Sequence, residues 1–156
     1  MSASLIFDSA PLGAIVKYSD GTPRPPERHR NKLAAWKNLN NSGRLIARKS
    51  RRVVGNTTFP ESFTLHEGDF GAAGVVVLRV HRSFSIDSDL KFTVVERPAI
   101  GSVIVLDRPD GELVHLAENH AAAETWLKSH GYPHAILQPV TADQVAADVV
   151  EGRAAA

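Results

Sequence analysis

What most limits the folds open to this chain is the size of its apolar runs, which are short, rich in β-branched residues and closed by turn formers. Leu12 to Tyr18 (LGAIVKY) reads as a strand, with Ser19-Asp20-Gly21-Thr22 as the turn after it. Gly43 to Ala47 begins a second strand and Ser62 to His66 forms a short third, followed by a turn over Glu67 to Gly74. Val75 to Phe84 is the longest strand candidate, and Leu90 to Glu96 returns after a turn at Ser85 to Asp89. Ser102 to Leu106 and Leu113 to Leu116 flank Arg108-Pro109-Asp110-Gly111, a hairpin turn signal, and Ala135 to Val140 is a last short strand. Connections this short join antiparallel neighbours, since parallel strands need a long crossover.

Three segments carry a helical period. Pro26 to Asn40 follows an extended approach held by Pro23, Pro25 and Pro26, and Asn41-Ser42-Gly43 stops it. At about 100° per residue, His29, Leu33, Trp36 and Asn40 share one stripe, which predicts that Leu33 and Trp36 face the core. Asn119 caps a second helix through about His130, with Trp126 and Leu127 on its buried side and Gly131 as its stop. Thr141 and Gln144 make a capping box for a third helix to about Val150, before a loose tail at 151–156. The expected fold class is α+β: a mainly antiparallel sheet with about three helices on one face. The expected organisation is a single domain over 1–156, with a basic N-terminal lobe at 1–58 and an acidic, sheet-rich lobe at 59–150.

Several classes are set aside. With no cysteine among its 156 residues, the chain has no disulfide, thiolate zinc site or cysteine nucleophile, and it suits a reducing compartment. Asp8 interrupts the first apolar patch and no basic residue precedes it, which argues against a signal peptide. No apolar stretch approaches the roughly 20 residues of a membrane helix. A cytoplasmic protein is expected, in which the sequons at Asn40 and Asn56 carry no meaning.

Charge is the most informative feature for function. The net charge of +1 hides a division: residues 1–52 hold 11 Lys and Arg against 3 Asp and Glu, and residues 53–156 hold 7 against 14. Such asymmetry points to a polyanionic partner. The candidate nucleic-acid-binding residues are Arg24, Arg28, Arg30, Lys32, Lys37, Arg44, Arg48, Lys49, Arg51 and Arg52. Their expected role is phosphate neutralisation, which positions a protein on nucleic acid without reading its sequence. If six of them each met one phosphate, log K would fall with log salt at a slope of about −5 on duplex DNA. The competing account is that the basic lobe folds against the acidic remainder or docks on another copy. No zinc-finger, helix-turn-helix or RNA-binding aromatic signature accompanies the charge.

Other clusters are weaker. His66, Glu67 and Asp69 in LHEGDF could serve a metal-dependent hydrolase, and His115 and His120 flank a strand-to-helix junction, but neither has a known ligand spacing. Asp87 and Asp89 begin like a calcium loop, yet Phe92 and Pro98 stand where it needs Gly and Glu. Gly71-Ala72-Ala73-Gly74 reads as a hairpin connection, and Pro23-Arg24-Pro25-Pro26 as a rigid entry to the first helix. No phosphate-binding or nucleophile-elbow motif is present, so no cofactor, metal site or catalytic residue is assigned.

Taken together, LGAIVKYSDGTPRPP, SFTLHEGDFG, DSDLKFTVVERPAIGSV, AAAETWLKSHGYPHA and TADQVAADVVEGRAAA resemble small uncharacterised proteins of plasmids and other mobile elements in alphaproteobacteria. The resemblance implies a role in element maintenance, transfer or evasion of host defence, and carries over no catalytic residue. Three readings stand. The first is a non-enzymatic accessory protein that binds DNA or RNA through the basic lobe. The second is a protein-interaction module or inhibitor of a host nuclease or defence complex, presenting Asp87, Asp89, Glu96, Asp107 and Asp110 as a nucleic-acid mimic; a homo-oligomer is also an expected partner state. The third is a small hydrolase built on His66, Glu67 and Asp69.

Overall fold

The computed structural model describes residues 1–145. In chain order they form α1 (Ala3–Ser9), β1 (Ile15–Ser19), α2 (Arg30–Leu39), β2 (Asn41–Lys49), β3 (Arg52–Val54), β4 (Thr57–Phe59), β5 (Ser62–Ala72), β6 (Val75–Ser85), β7 (Lys91–Glu96), β8 (Val103–Leu106), β9 (Leu113–Ala117), α3 (His120–Lys128) and β10 (Ile136–Pro139). A five-stranded sheet has the order β6-β5-β2-β1-β7, a three-stranded sheet the order β10-β8-β9, and β3-β4 form a small ribbon. Every pairing is antiparallel.

Alternation along the strands sorts side chains into layers. Leu45, Val16, Tyr18, Phe63 and Phe92 bury one face of the large sheet under Ala3, Ile6 and Ala10, from α1 and its C-cap. Ile46 and Ala47 of β2 turn the other way and pack on Ile104, Leu106 and Leu113 of the small sheet. Val103 and Val105 point to the opposite side of β8 and meet Ala117 and Ala123, with Trp126 and Leu127 against them. All four residues of β8 are therefore buried, two toward each layer. The N-terminus is pinned to β7, where the Met1 amino group donates to the Phe92 carbonyl at 2.8 Å.

The α+β expectation is corrected by this architecture: ten strands in three sheets make it mainly β, and the helices are short and lie on different layers rather than on one face. The physical cause lies in two places. Glu67 to Ala72, read as turn residues, continue β5, because the real turn is only Ala73-Gly74, with φ +54° and +78°, the left-handed pair that a two-residue hairpin needs. The helix expected from Pro26 begins at Arg30, as α2, and buries none of its residues. Leu33 and Trp36, assigned to the core by periodicity, are only half-buried, with the Trp36 indole donating to the Thr22 carbonyl at 3.0 Å. Asn119 caps α3 as expected, accepting from the Ala122 amide at 2.8 Å. The Thr141 amide donates to Gln144 at 3.4 Å, and the rest of that helix and the 151–156 tail lie outside the described residues.

The β5–β6 hairpin is longer than the sheet that supports it. β5 pairs with β2 only from Ser62 to His66. Beyond that the ribbon runs on alone, with Phe70, Val75, Val76, Val77 and Leu78 exposed.

Candidate nucleic-acid interface

The ten predicted cations do not form one surface; β2 separates them. Arg28, Arg30, Lys32 and Lys37 are exposed on α2 or at its start. α2 contains no acidic residue, and it is lightly held, chiefly by Trp36 and by Arg82 donating to the Asn38 carbonyl. Arg24 stands before it and pairs with Glu27 at 3.6 Å. β2 then extends for nine residues, roughly 26 Å, to Lys49. There Arg48, Lys49 and Arg52 line one crevice of about 540 Å³ with Ser50, Gln138 and Asp110. Arg51 is exposed beside it, and Arg52 lies 5.1 Å over the Phe59 ring.

Two arginines differ from the rest. Arg44 is half-buried and its Nη1 donates to the Gly13 carbonyl at 2.6 Å, away from the crevice. Arg48 is half-buried with no partner for its Nε, and desolvation pushes its pKa below the guanidinium range, an effect that Asp8 partly offsets. A nearby anion would favour such a poorly solvated cation. Among the described residues, no carboxylate forms an ion pair with Arg28, Arg30, Lys32, Lys37, Lys49, Arg51 or Arg52. The described part of the acidic half therefore does not pair with these charges. The acidic residues are also dispersed: Asp87 and Asp89 sit between β6 and β7, Glu96 at the far end of β7, and Asp107 and Asp110 between β8 and β9.

A second site was missed by sequence reasoning. Arg44, His66, Asp69, Arg79, His81 and Glu112 line a cleft of about 290 Å³ between the large sheet and β9, and His115 closes one side. Hairpin register builds it, because His66 and His81 are direct cross-strand partners, as are Asp69 and Arg79. His66 Nε2 is 2.7 Å from Asp69 Oδ1, Arg79 Nε is 3.8 Å from the same oxygen, and His81 Nε2 is 3.9 Å from Glu112. The two imidazoles meet edge to face with ring centres 5.4 Å apart. A bulge between His66 and Gly68 turns Glu67 away to accept from Tyr18, so the predicted His66, Glu67 and Asp69 trio does not converge. Among the described residues, no three ligating side chains are placed to hold a metal ion. The signal for this cleft was present in the sequence: with the turn fixed at Ala73-Gly74, His66 and His81 fall opposite each other.

His115 stacks on Trp126, which stacks in turn on His130, at centroid distances of 4.6 and 3.9 Å. Burial, and then the neighbouring His130, hold the His115 imidazole below its usual range.

Residues 1–144 match the family model described as uncharacterised conserved protein UCP036055. The chain belongs to this family. No curated protein and no solved structure matches it. No helix among the described residues is long and apolar enough to cross a membrane.

Proposed function

We propose that this family member binds nucleic acid, anchoring phosphates in the crevice of Arg48, Lys49 and Arg52 and making looser contacts through the exposed cations of α2. The observation that carries the reading is that most of these cations are exposed and unpaired, while three of them line a single crevice. Phosphate contacts of this kind give strong salt dependence and little sequence preference. The resemblance to proteins of plasmids and mobile elements fits a cytoplasmic accessory role in maintenance or transfer. Fluorescence anisotropy with labelled single- and double-stranded DNA and RNA at several salt concentrations tests it. Lys49→Glu with Arg52→Glu should weaken binding most, Arg30→Glu with Lys32→Glu less, and neither pair should change the melting temperature. Unchanged affinity in the first double variant would remove the crevice from the interface.

A second reading, a protein-interaction module, is favoured by the outer half of the β5–β6 hairpin, whose apolar side chains have no partner within the described residues. Concentration-dependent sedimentation that Val77→Lys abolishes would support it.

A further inference from the structure

The inter-sheet cleft combines acid–base groups and cations without a hydroxyl, thiol or amine nucleophile. Its lining contains no Ser, Thr, Cys or Lys side chain. It does contain two imidazoles in direct apposition, each facing a carboxylate, and two guanidinium groups. Histidine is the side chain best suited to exchange protons near neutral pH, and a pair can divide the work of general base and general acid. Such a set can act on a substrate that supplies its own nucleophile. RNA does so at every nucleotide, through the 2′-hydroxyl beside its phosphodiester.

Position adds to chemistry. The cleft and the basic crevice both open onto the seam between β2 and the small sheet: Arg44, Ile46 and β9 line one, Arg48 and Leu106 the other. Arg44 and Arg48 are four residues apart on β2, roughly 13 Å. A single strand held by phosphates at Arg48, Lys49 and Arg52 would bring a nearby phosphodiester to the histidines by spanning that distance.

We infer that the cleft of His66 and His81 cleaves RNA by transferring a phosphodiester onto the neighbouring 2′-hydroxyl. One imidazole takes the 2′-hydroxyl proton as the 2′ oxygen attacks phosphorus. The other, protonated, gives its proton to the departing 5′ oxygen as that P–O bond breaks. The products are a 2′,3′-cyclic phosphate and a free 5′-hydroxyl, and the two imidazoles have exchanged protonation states, which proton exchange with water restores. Arg44, fixed by the Gly13 carbonyl, and Arg79 stabilise the charge gathering on the non-bridging oxygens. Asp69 is a positioning residue, holding the His66 ring through Nε2. The inference rests on the nucleic-acid reading above, and its test separates the two.

The full chain is incubated in chelator with an end-labelled single-stranded RNA and the DNA of the same sequence, while anisotropy follows binding of both. RNA should be cut to cyclic-phosphate ends with a bell-shaped pH profile, and DNA should stay intact. His66→Gln and His81→Gln, both at half-exposed positions, should each slow cleavage about a hundredfold or more with binding retained. Asp69→Asn should lower kcat more than it raises KM. RNA that is bound but uncut, or cleavage undiminished in both histidine variants, would overturn the inference and leave the binding reading standing. Uncut RNA with no binding would overturn both.

Discussion

Along the β5–β6 hairpin, Phe63, Leu65 and Phe84 at the inner end are buried, whereas Phe70, Val77 and Leu78 at the outer end are exposed, Val77 to 79%. Both halves are β-branched and aromatic, and both pair strand to strand in the same ribbon. What differs is the company. The inner half has β2 beside it, and its buried side chains join those of α1, β1 and β7. Among the described residues, the outer half has no third strand paired to it, and Phe70, Val77 and Leu78 have no layer over them. Pairing makes a ribbon, but only a second layer makes a core, and a two-stranded ribbon by itself is marginal in water. Tyr18 marks the border, donating to Glu67 and accepting from Arg82 at 3.2 Å.

Four substitutions break or sharpen this contrast. Phe63→Ala, at a fully buried ring packed on Phe84 and Phe92, should cost about 3–5 kcal/mol in urea denaturation, enough to unfold a marginal domain. Gly71→Ala should cost about 1–3 kcal/mol locally. Its Cβ would overlap the Val75 carbonyl oxygen, so hydrogen exchange should show lost protection near the tip with the inner half intact. Equal loss along the whole hairpin would show the two halves to be one cooperative unit.

At the border, Tyr18→Phe removes two hydrogen bonds, one to Glu67 and one from Arg82, about 1–3 kcal/mol together at neutral pH. It should also change the alkaline limb of stability. Burial, and then the Glu67 hydrogen bond and charge, raise the Tyr18 pKa above its ordinary 10.0. The folded state therefore holds that proton longer than the unfolded chain does. The stability tied to it is complete below pH 10.0 and is lost as pH rises above that value. The Phe variant should show a shallower decline there in pH-dependent denaturation. Phe70→Ala should have the smallest effect, within about 0.5 kcal/mol. A larger loss would mean that the outer half is covered in solution.

Much of the strand inventory was legible because β-branched runs and turn residues act locally. Arg108-Pro109-Asp110-Gly111 and Asn119 behaved as their local chemistry dictates, at the β8–β9 turn and the α3 cap. Less legible was anything that depends on register. Glycines and charges in HEGDFGAAG resemble loop composition, yet Gly71 is in β5 because the opposing backbone leaves no room for a side chain. That misplaced turn hid the His66–His81 pairing and so hid the cleft. The α2 stripe misled for the opposite reason: it has the right period, but among the described residues no layer buries it. Likewise, clustering in sequence between Arg24 and Arg52 did not become clustering in space, because β2 intervenes as an extended rod.

The column of His115, Trp126, His130 and Tyr132 gives the molecule a built-in optical gauge. An imidazolium stacked on an indole quenches its emission, so Trp126 fluorescence should dim as His115 gains its proton, at a pH below the usual histidine range. The chain's other tryptophan, Trp36, rides on the basic helix and donates to the Thr22 carbonyl. With Trp36→Phe the remaining signal follows acidity at the small sheet; with Trp126→Phe it follows whatever comes to rest on α2. One chain thus carries two lamps, each lighting a different part of the molecule.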